Sequence, residues 1–390
     1  MSSRGTLRLA TRGSALARQQ AAEVKAALED RRFTVEIVEV ETTGDQIRDE
    51  LIHRLGKTGA FVRSLDEEVL TGAVDGAIHS MKDMPTDQPE DLVVAGIPER
   101  ATAADVLVTP DGVALDDLPD GAVVGTASLR RTAQLRRQRP DLTVEPIRGN
   151  VDTRVAKLLA PRLQREHQRR LEAEEETPAE EENDEAPSGD ADAAGAGDET
   201  FDRTPGEWFD DLAEIERRAL GRQVDWEYDA IVLAAAGLER SGLDREVPTV
   251  TLPTGQFVPA PGQGALAVTA LDGSDASEAI HDVIDHPRTR VETTVERVIL
   301  AQLGGGCIAP IGVYAVVRGE HVHVDVQVLD RDGADAVIGS RDLPIQRYVP
   351  AARELADDLA DRGAADLIAA AKREFDDDQT EPEPREETEG

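Results

Sequence analysis

Short apolar runs alternate with amphipathic helical stretches along most of this chain, and few folds satisfy that alternation. "TLRLAT" has strand character and "SALARQQAAEVKAALEDR" a long helical period. "FTVEIVEVET" is again strand-like, "FVRSLDEEVLTG" helical and "VDGAIHSM" strand-like. Three more apolar runs follow in "LVVAGIP", "DVLVTP" and "GAVVGTAS", and then a helix in "SLRRTAQLRRQR" with Ser128 as its cap. "TVEPIRGN" and "YDAIVLAAAG" continue the pattern. Short strands separated by helices dictate an α/β fold with open, mostly parallel sheets. In such sheets a ligand sits beyond the carboxyl ends of the strands, in the turns that lead into helices.

The alternation breaks at residues 172–200, which contain no basic and no large apolar residue. Such a segment cannot bury enough apolar surface to offset chain entropy, so disorder is expected. It sits in a longer acidic insertion, about residues 161–226, read as a disordered surface excursion within one domain. The acidic tail, residues 376–390, is expected to be disordered too. After about residue 287 the register changes. "RTRVETTVERVILAQLGGG" is a helix stopped by glycines. An alternating stretch with turns at Arg318-Gly319 and Asp332-Gly333 then reads as an antiparallel meander, and "AARELADDLADRGAADLIAAAKREF" as a closing helix. Residues 287–375 thus form a separate α+β domain.

Charge narrows the partners. The formal net charge is -36, and Lys25, Lys57, Lys82, Lys157 and Lys372 are all the lysines. Nucleic acid is excluded as the main partner, because phosphate binding needs a basic footprint. The acid excess suits high salt, where the Debye length falls to about 3 Å at 1 M and self-repulsion is screened. A halophilic source is expected. No basic segment followed by an apolar run opens the chain, and no stretch approaches the roughly 20 apolar residues of a membrane span. The expectation is a cytoplasmic monomer without a membrane partner.

In so acidic a chain, clustered basic residues mark bound anions. Four turns qualify: "ATRGS" with Arg12 and Ser14, "HSMKDMP" with Ser80, Lys82 and Asp83, "GTASLRR" with Thr126, Ser128, Arg130 and Arg131, and "IRGNVDTR" with Arg148 and Arg154. Helix starts with hydroxyls and free N–H groups bind anions, and arginine forks suit carboxylates. Together they suggest a polyanionic small ligand. Asp83 reads either as a structural ion pair or cap, or as a carboxylate that stabilises a cation on a nitrogenous substrate. Cys307 is the only cysteine and follows three glycines. It can form neither an internal disulfide nor a thiolate metal site alone. It is either a small buried hydrophobe or a reactive thiol on a closely approachable turn.

"ATRGS", "HSMKDMP", "GTASLRR", "IRGN", "YDAIVLAAAGLER", "PAPGQGALAV" and "GGGCIAPIG" occur in this order. Together they resemble the porphobilinogen deaminase (hydroxymethylbilane synthase) family over nearly the whole chain outside 161–226 and the tail. The resemblance implies three domains: residues 1–98 with 265–282, residues 104–258, and residues 287–375. The first two would resemble the lobes of periplasmic binding proteins, with the site in their cleft. It further implies a dipyrromethane cofactor in thioether linkage to Cys307, and head-to-tail joining of four porphobilinogens with loss of ammonia. Asp83 would be the catalytic carboxylate. Lys82, Ser80, Thr126, Ser128, Arg130 and Arg131 would hold the cofactor, and Arg12, Ser14, Arg148 and Arg154 the substrate carboxylates. No metal is implied.

The family's glycine-lysine-glycine turn reads "GKTGAF" here, which displaces Lys57 by one position. Two other classes share part of the pattern. A binding module that captures an anionic solute would need neither Asp83 nor a thiol. A thiol-dependent acyl-transfer enzyme would need a histidine beside Cys307, and only His79 lies within a motif.

Overall fold

The computed structural model describes residues 4–40, 60–176, 201–224, 226–306 and 309–380. The first lobe begins with β1 (Thr6–Arg12), which buries Leu7 and Leu9, and α1 (Ala15–Glu29). Ser14 caps α1 by accepting a hydrogen bond from the Ala17 N–H at 3.2 Å. Ala17, Ala21, Val24 and Leu28 recur every third or fourth residue and form the buried face of this helix. β2 (Thr34–Val40), α2 (Ala60–Leu70), β3 (Gly76–Ser80) and β4 (Leu92–Gly96) follow.

The second lobe contains β5 (Asp105–Val108), β6 (Val123–Gly125), β7 (Thr143–Glu145), β8 (Ala230–Ala234) and β9 (Thr249–Thr251). α3 (Leu129–Gln138) follows β6 and α4 (Val151–Glu176) follows β7. α5 (Pro205–Asp211) and α6 (Glu214–Leu220) precede β8, and α7 (Ala235–Ser241) leaves it. The chain then returns to the first lobe as β10 (Leu266–Leu271) and α8 (Asp275–Ile284).

The strand orders are β2-β1-β3-β10-β4 and β7-β6-β8-β5-β9. In both sheets the first three strands are parallel and the fourth is antiparallel to its neighbours. That fourth strand is the one the chain enters on crossing over from the other lobe. The fold class is the expected one: two mostly parallel α/β lobes and a C-terminal α+β domain. Among the described residues, no helix is long and apolar enough to cross a membrane.

The two crossings, residues 97–104 and 252–265, lie against each other. Gly264 has φ +86°, and a Cβ there would sit 2.6 Å from the carbonyl oxygens of Ala101 and Thr102, so no side chain fits. Arg100 pairs with both oxygens of Glu296 at 2.7 and 3.1 Å and donates from Nε to the Gln263 carbonyl at 2.8 Å. Glu296 also accepts from the N–H groups of Gly262 at 2.6 Å and Ala315 at 2.9 Å. One buried carboxylate thereby ties both crossings to the third domain.

That domain consists of α9 (Pro287–Gln302), β11 (Ile311–Arg318), β12 (His321–Leu329), β13 (Ala336–Pro344), α10 (Tyr348–Leu359) and α11 (Ala365–Thr380). The three strands form the expected antiparallel meander. Gly319 and Gly333 supply the positive φ of its turns, and Val322, Val324, Val326 and Val328 fill its core from alternate positions of β12. The closing helix is two helices, because Gly363 takes φ +103° between them.

Two expectations of disorder are corrected in extent. α4 continues to Glu176, and α5 and α6 follow, so residues 161–176 and 205–220 of the insertion are largely helical. The flanks carry apolar residues that the acidic stretch lacks. Ile215 and Ala219 pack with Val155 and Leu158, His167 stacks on Trp208, and the Arg170 guanidinium lies 4.3 Å from the Phe201 ring centre. Residues 177–200 lie outside the described residues. Likewise α11 extends to Thr380, five residues into the expected tail.

Asp105, at the start of β5, accepts from Arg130 and Arg131 at 2.8 Å each and from Gln263 at 2.7 Å. Although burial opposes ionisation, the two guanidiniums hold its carboxyl down to about 2. Its folded value lies below its unfolded one, so its stabilisation is present above about pH 4 and lost as pH falls towards 2. Asp105→Asn is expected to lower unfolding free energy by about 3 kcal/mol at neutral pH, because it leaves two buried guanidiniums uncompensated. Denaturant unfolding should show this deficit shrinking between about pH 4 and pH 2. A deficit independent of pH would contradict the ionic account.

Candidate functional site

All four basic turns lie where strands end. Arg12 closes β1, and Ser14 caps the helix that follows. Ser80 closes β3, and a single turn over Met81–Asp83 carries Lys82 and Asp83. Thr126 and Ser128 bridge β6 and α3, where the Thr126 hydroxyl accepts from the Ser128 N–H at 3.3 Å. Arg148 lies between β7 and α4, and Arg154 in the first turns of α4. "IRGN" has a local reason: Gly149 has φ +112°, and a Cβ there would meet Thr153 at 2.4 Å.

The lobes bring part of this set together. Lys82 lies within electrostatic reach of Asp83 on its own turn and of Arg131, Asp105 and Arg154 of the second lobe. Burial lowers the Lys82 pKa, the nearby Asp83 opposes the shift, and Arg131 reinforces it. Burial, with the Arg131 guanidinium in second place, brings Arg154 down to about 10. Arg154 donates from Nε to the Gly149 carbonyl at 2.7 Å and has no carboxylate partner among the described residues. Arg148 is half-buried and has neither a hydrogen-bond nor an ion-pair partner among them. Asp83 is exposed on the same turn that buries Met81.

Arg130 and Arg131 differ from the other cations. Arg130 gives its terminal nitrogens to Gln134 at 2.7 Å, the Val258 carbonyl at 2.8 Å and Asp105. Gln134 continues to Gln327 of the third domain at 2.7 Å. Arg131 bonds Asp105, Gln263 and the Val232 carbonyl. Both Nε atoms are buried without a hydrogen-bond partner. The unpartnered Arg131 Nε, with Lys82 and Arg154, makes a donor set short of negative charge, which a ligand with several carboxylates would complete.

Lys57 and Cys307 lie outside the described residues. The turn into Cys307 is described as far as Gly306. Gly304 ends α9 with φ +66°, and Lys372 donates to its carbonyl at 2.7 Å. A Cβ at Gly305 would meet Ile311 at 2.3 Å, whereas Gly306 faces open space. Two of the three glycines therefore have a packing or backbone reason, and only Gly306 answers the expectation of a closely approachable turn.

Sequence reasoning did not single out Asp105, Arg100, Gln263 or Glu296. A local signal existed for Asp105, which opens the otherwise apolar run "DVLVTP". Glu296 has a comparable one on the buried face of α9.

Residues 7–165 and 214–279 match the model of the porphobilinogen deaminase dipyrromethane cofactor-binding domain, and residues 291–361 match the porphobilinogen deaminase C-terminal domain. A probable porphobilinogen deaminase of Halobacterium salinarum is 55% identical over 94% of this chain and 98% of its own. One of Methanococcoides burtonii is 35% identical over 93% and 96%, and a porphobilinogen deaminase of Acidothermus cellulolyticus 37% over 93% and 89%.

Since the Lys82 charge is desolvated and lies near two guanidiniums, Lys82→Met is expected to leave unfolding free energy unchanged or to raise it by up to about 1 kcal/mol. The same variant should bind a polycarboxylate at least about tenfold more weakly. A loss of stability of more than about 2 kcal/mol would mean that Lys82 is a structural partner.

Proposed function

The chain belongs to the porphobilinogen deaminase family, and on that premise we propose how its residues divide the work. The enzyme joins porphobilinogens head to tail into hydroxymethylbilane, with release of ammonia, on a dipyrromethane primer. The observation that carries the assignment of residues is the placement of Lys82, Arg131 and Arg154 at strand-to-helix turns of the two lobes, with the Arg131 Nε buried and unpartnered, in a chain of net charge -36. Each pyrrole ring brings two carboxylates, so a lengthening chain needs several such donors.

Arg131, Lys82, Ser80, Thr126 and Ser128 would hold the carboxylates of the primer. Arg12, Ser14, Arg148 and Arg154 would hold those of the incoming ring. Arg130, the other guanidinium on Asp105 and likewise left with an unpartnered Nε, would hold the primer carboxylates with Arg131. Once bound, the dipyrromethane supplies the pyrrole carbon to which the next ring is joined. Asp83 would place a carboxylate beside the substrate's pyrrole nitrogen, where positive charge develops as ammonia departs, and would stabilise that charge electrostatically. The same carboxylate can accept the proton that condensation releases. Cys307 would hold the primer through a thioether, because a thiolate is the strongest nucleophile available at that turn. A cytoplasmic monomer with porphobilinogen as its small-molecule partner completes the reading.

Asp83→Asn preserves shape and removes charge. It should fold and lose at least about a hundredfold in turnover, with Asp83→Glu retaining more than Asn. Arg148→Leu should stall chain growth, so that shorter enzyme-bound oligomers accumulate and appear by mass spectrometry. Wild-type turnover in both Asp83→Asn and Arg148→Leu would return these residues to structural roles and favour a plain anion-binding cleft.

A further inference from the structure

A second cavity, of about 270 Å³, opens behind the turn that carries Lys82 and Asp83. Its walls come from the first lobe and from α9 of the third domain. The polar lining is Thr86, Thr293, Thr294, Arg290 and Arg297, and no acidic residue lines it. Met81, Val94, Ile97 and Val298 supply an apolar wall. None of the cations assigned to the cleft takes part.

Arg297 sets the character of the cavity. It donates to the Met84 carbonyl at 3.2 Å and the Pro85 carbonyl at 2.7 Å, and pairs with no carboxylate among the described residues. Burial lowers its pKa with no acid to offset the shift. Arg290, by contrast, is neutralised by Asp285 at 2.6 Å. The hydroxyls of Thr86 and Thr294 have no hydrogen-bond partner among the described residues. One surplus positive charge, two available hydroxyls and an apolar wall are complementary to an anion with a hydrocarbon body. The volume exceeds the ~30 Å³ share of a single water several-fold. It falls just short of the roughly 300 Å³ at which pockets for drug-sized ligands begin. A small organic ion fits that range.

We propose that this cavity is a second binding site, selective for a small organic monocarboxylate, with Arg297 and the Thr86 and Thr294 hydroxyls as its recognition groups. The bound carboxylate replaces the missing counter-ion of Arg297, and its hydrocarbon part lies against Val94, Ile97 and Val298. Because Arg297 also holds the Met84 and Pro85 carbonyls, the site adjoins the segment that positions Lys82 and Asp83.

The test uses the full-length holoenzyme at fixed high chloride, with benzoate as probe and benzamide as its uncharged isostere. The unfolding temperature is the readout, so the result does not depend on the catalytic assignment. Benzoate should raise it saturably, with benzamide at least about tenfold weaker, the scale of one lost charge-assisted contact. The rise should disappear in Arg297→Met and in Val298→Phe, which fills the cavity, and persist in Lys82→Met. No saturable rise, or equal effects of benzoate and benzamide, would overturn the proposal on the wild-type protein alone, even if a variant failed to fold. A rise retained in folded Val298→Phe, or lost in Lys82→Met, would place the anion in the catalytic cleft and overturn it as well.

Discussion

Arg130 and Arg131 share a single buried carboxylate at Asp105, and the charge that remains uncompensated shapes the surrounding architecture. Two adjacent arginines on one helix bring two positive charges into the second lobe, and Asp105 supplies one negative charge. Unpaired charge is costly in a protein interior, so the surplus persists only where an anion can reach it. Lys82 and Arg154 enlarge the surplus from both sides of the cleft. Gln263 donates to Asp105 and lies on the return crossing, beside the Arg100–Glu296 pair. The cation set, the paired crossings and the third domain are therefore parts of one hydrogen-bonded system. Motion between the lobes must keep this system intact or break bonds within it.

Much of the site was legible because its residues are local to their turns. Strand ends follow from the alternation of apolar runs and helices; Arg12, Lys82, Asp83 and Arg148 stand at or just beyond such ends, and Arg154 in the first turn of the helix that follows. What stayed hidden was non-local. Gln263 is 158 residues from Asp105, and Glu296 is 196 from Arg100, so no spacing rule connects them. Arg130 and Arg131 show the limit most clearly, since both meet Asp105. A basic residue at a helix start looks the same whether its guanidinium meets a ligand or a buried aspartate, and only the packing of β5 against α3 decides. The insertion erred in the other direction. The flanks carry Trp208, Phe201 and Ile215, which have a surface to cover, and α4 runs on to Glu176, so a composition argument does not extend over them.

The acidic composition and the internal cations serve different tasks. Exposed pairs such as Arg18–Glu39 lie in solvent, where each contributes little and salt screens it. Buried pairs at Asp105 and Glu296 are shielded from that screening. A chain of this charge, with a close relative in Halobacterium salinarum, can thus keep its organising electrostatics in concentrated salt while its surface repulsion is damped.

We propose that the cleft holds a polycarboxylate primer anchored on Cys307, the only cysteine of the chain. Intact mass measurement of the active protein, followed by mapping of the peptide that contains Cys307, tests it most directly. The account predicts an added dipyrrole mass on that peptide, resistant to thiol reductants and absent from Cys307→Ser. It also predicts that the adduct is rebuilt when the apo-protein is given porphobilinogen. A fully active preparation with Cys307 free, alkylatable and at its unmodified mass would contradict it.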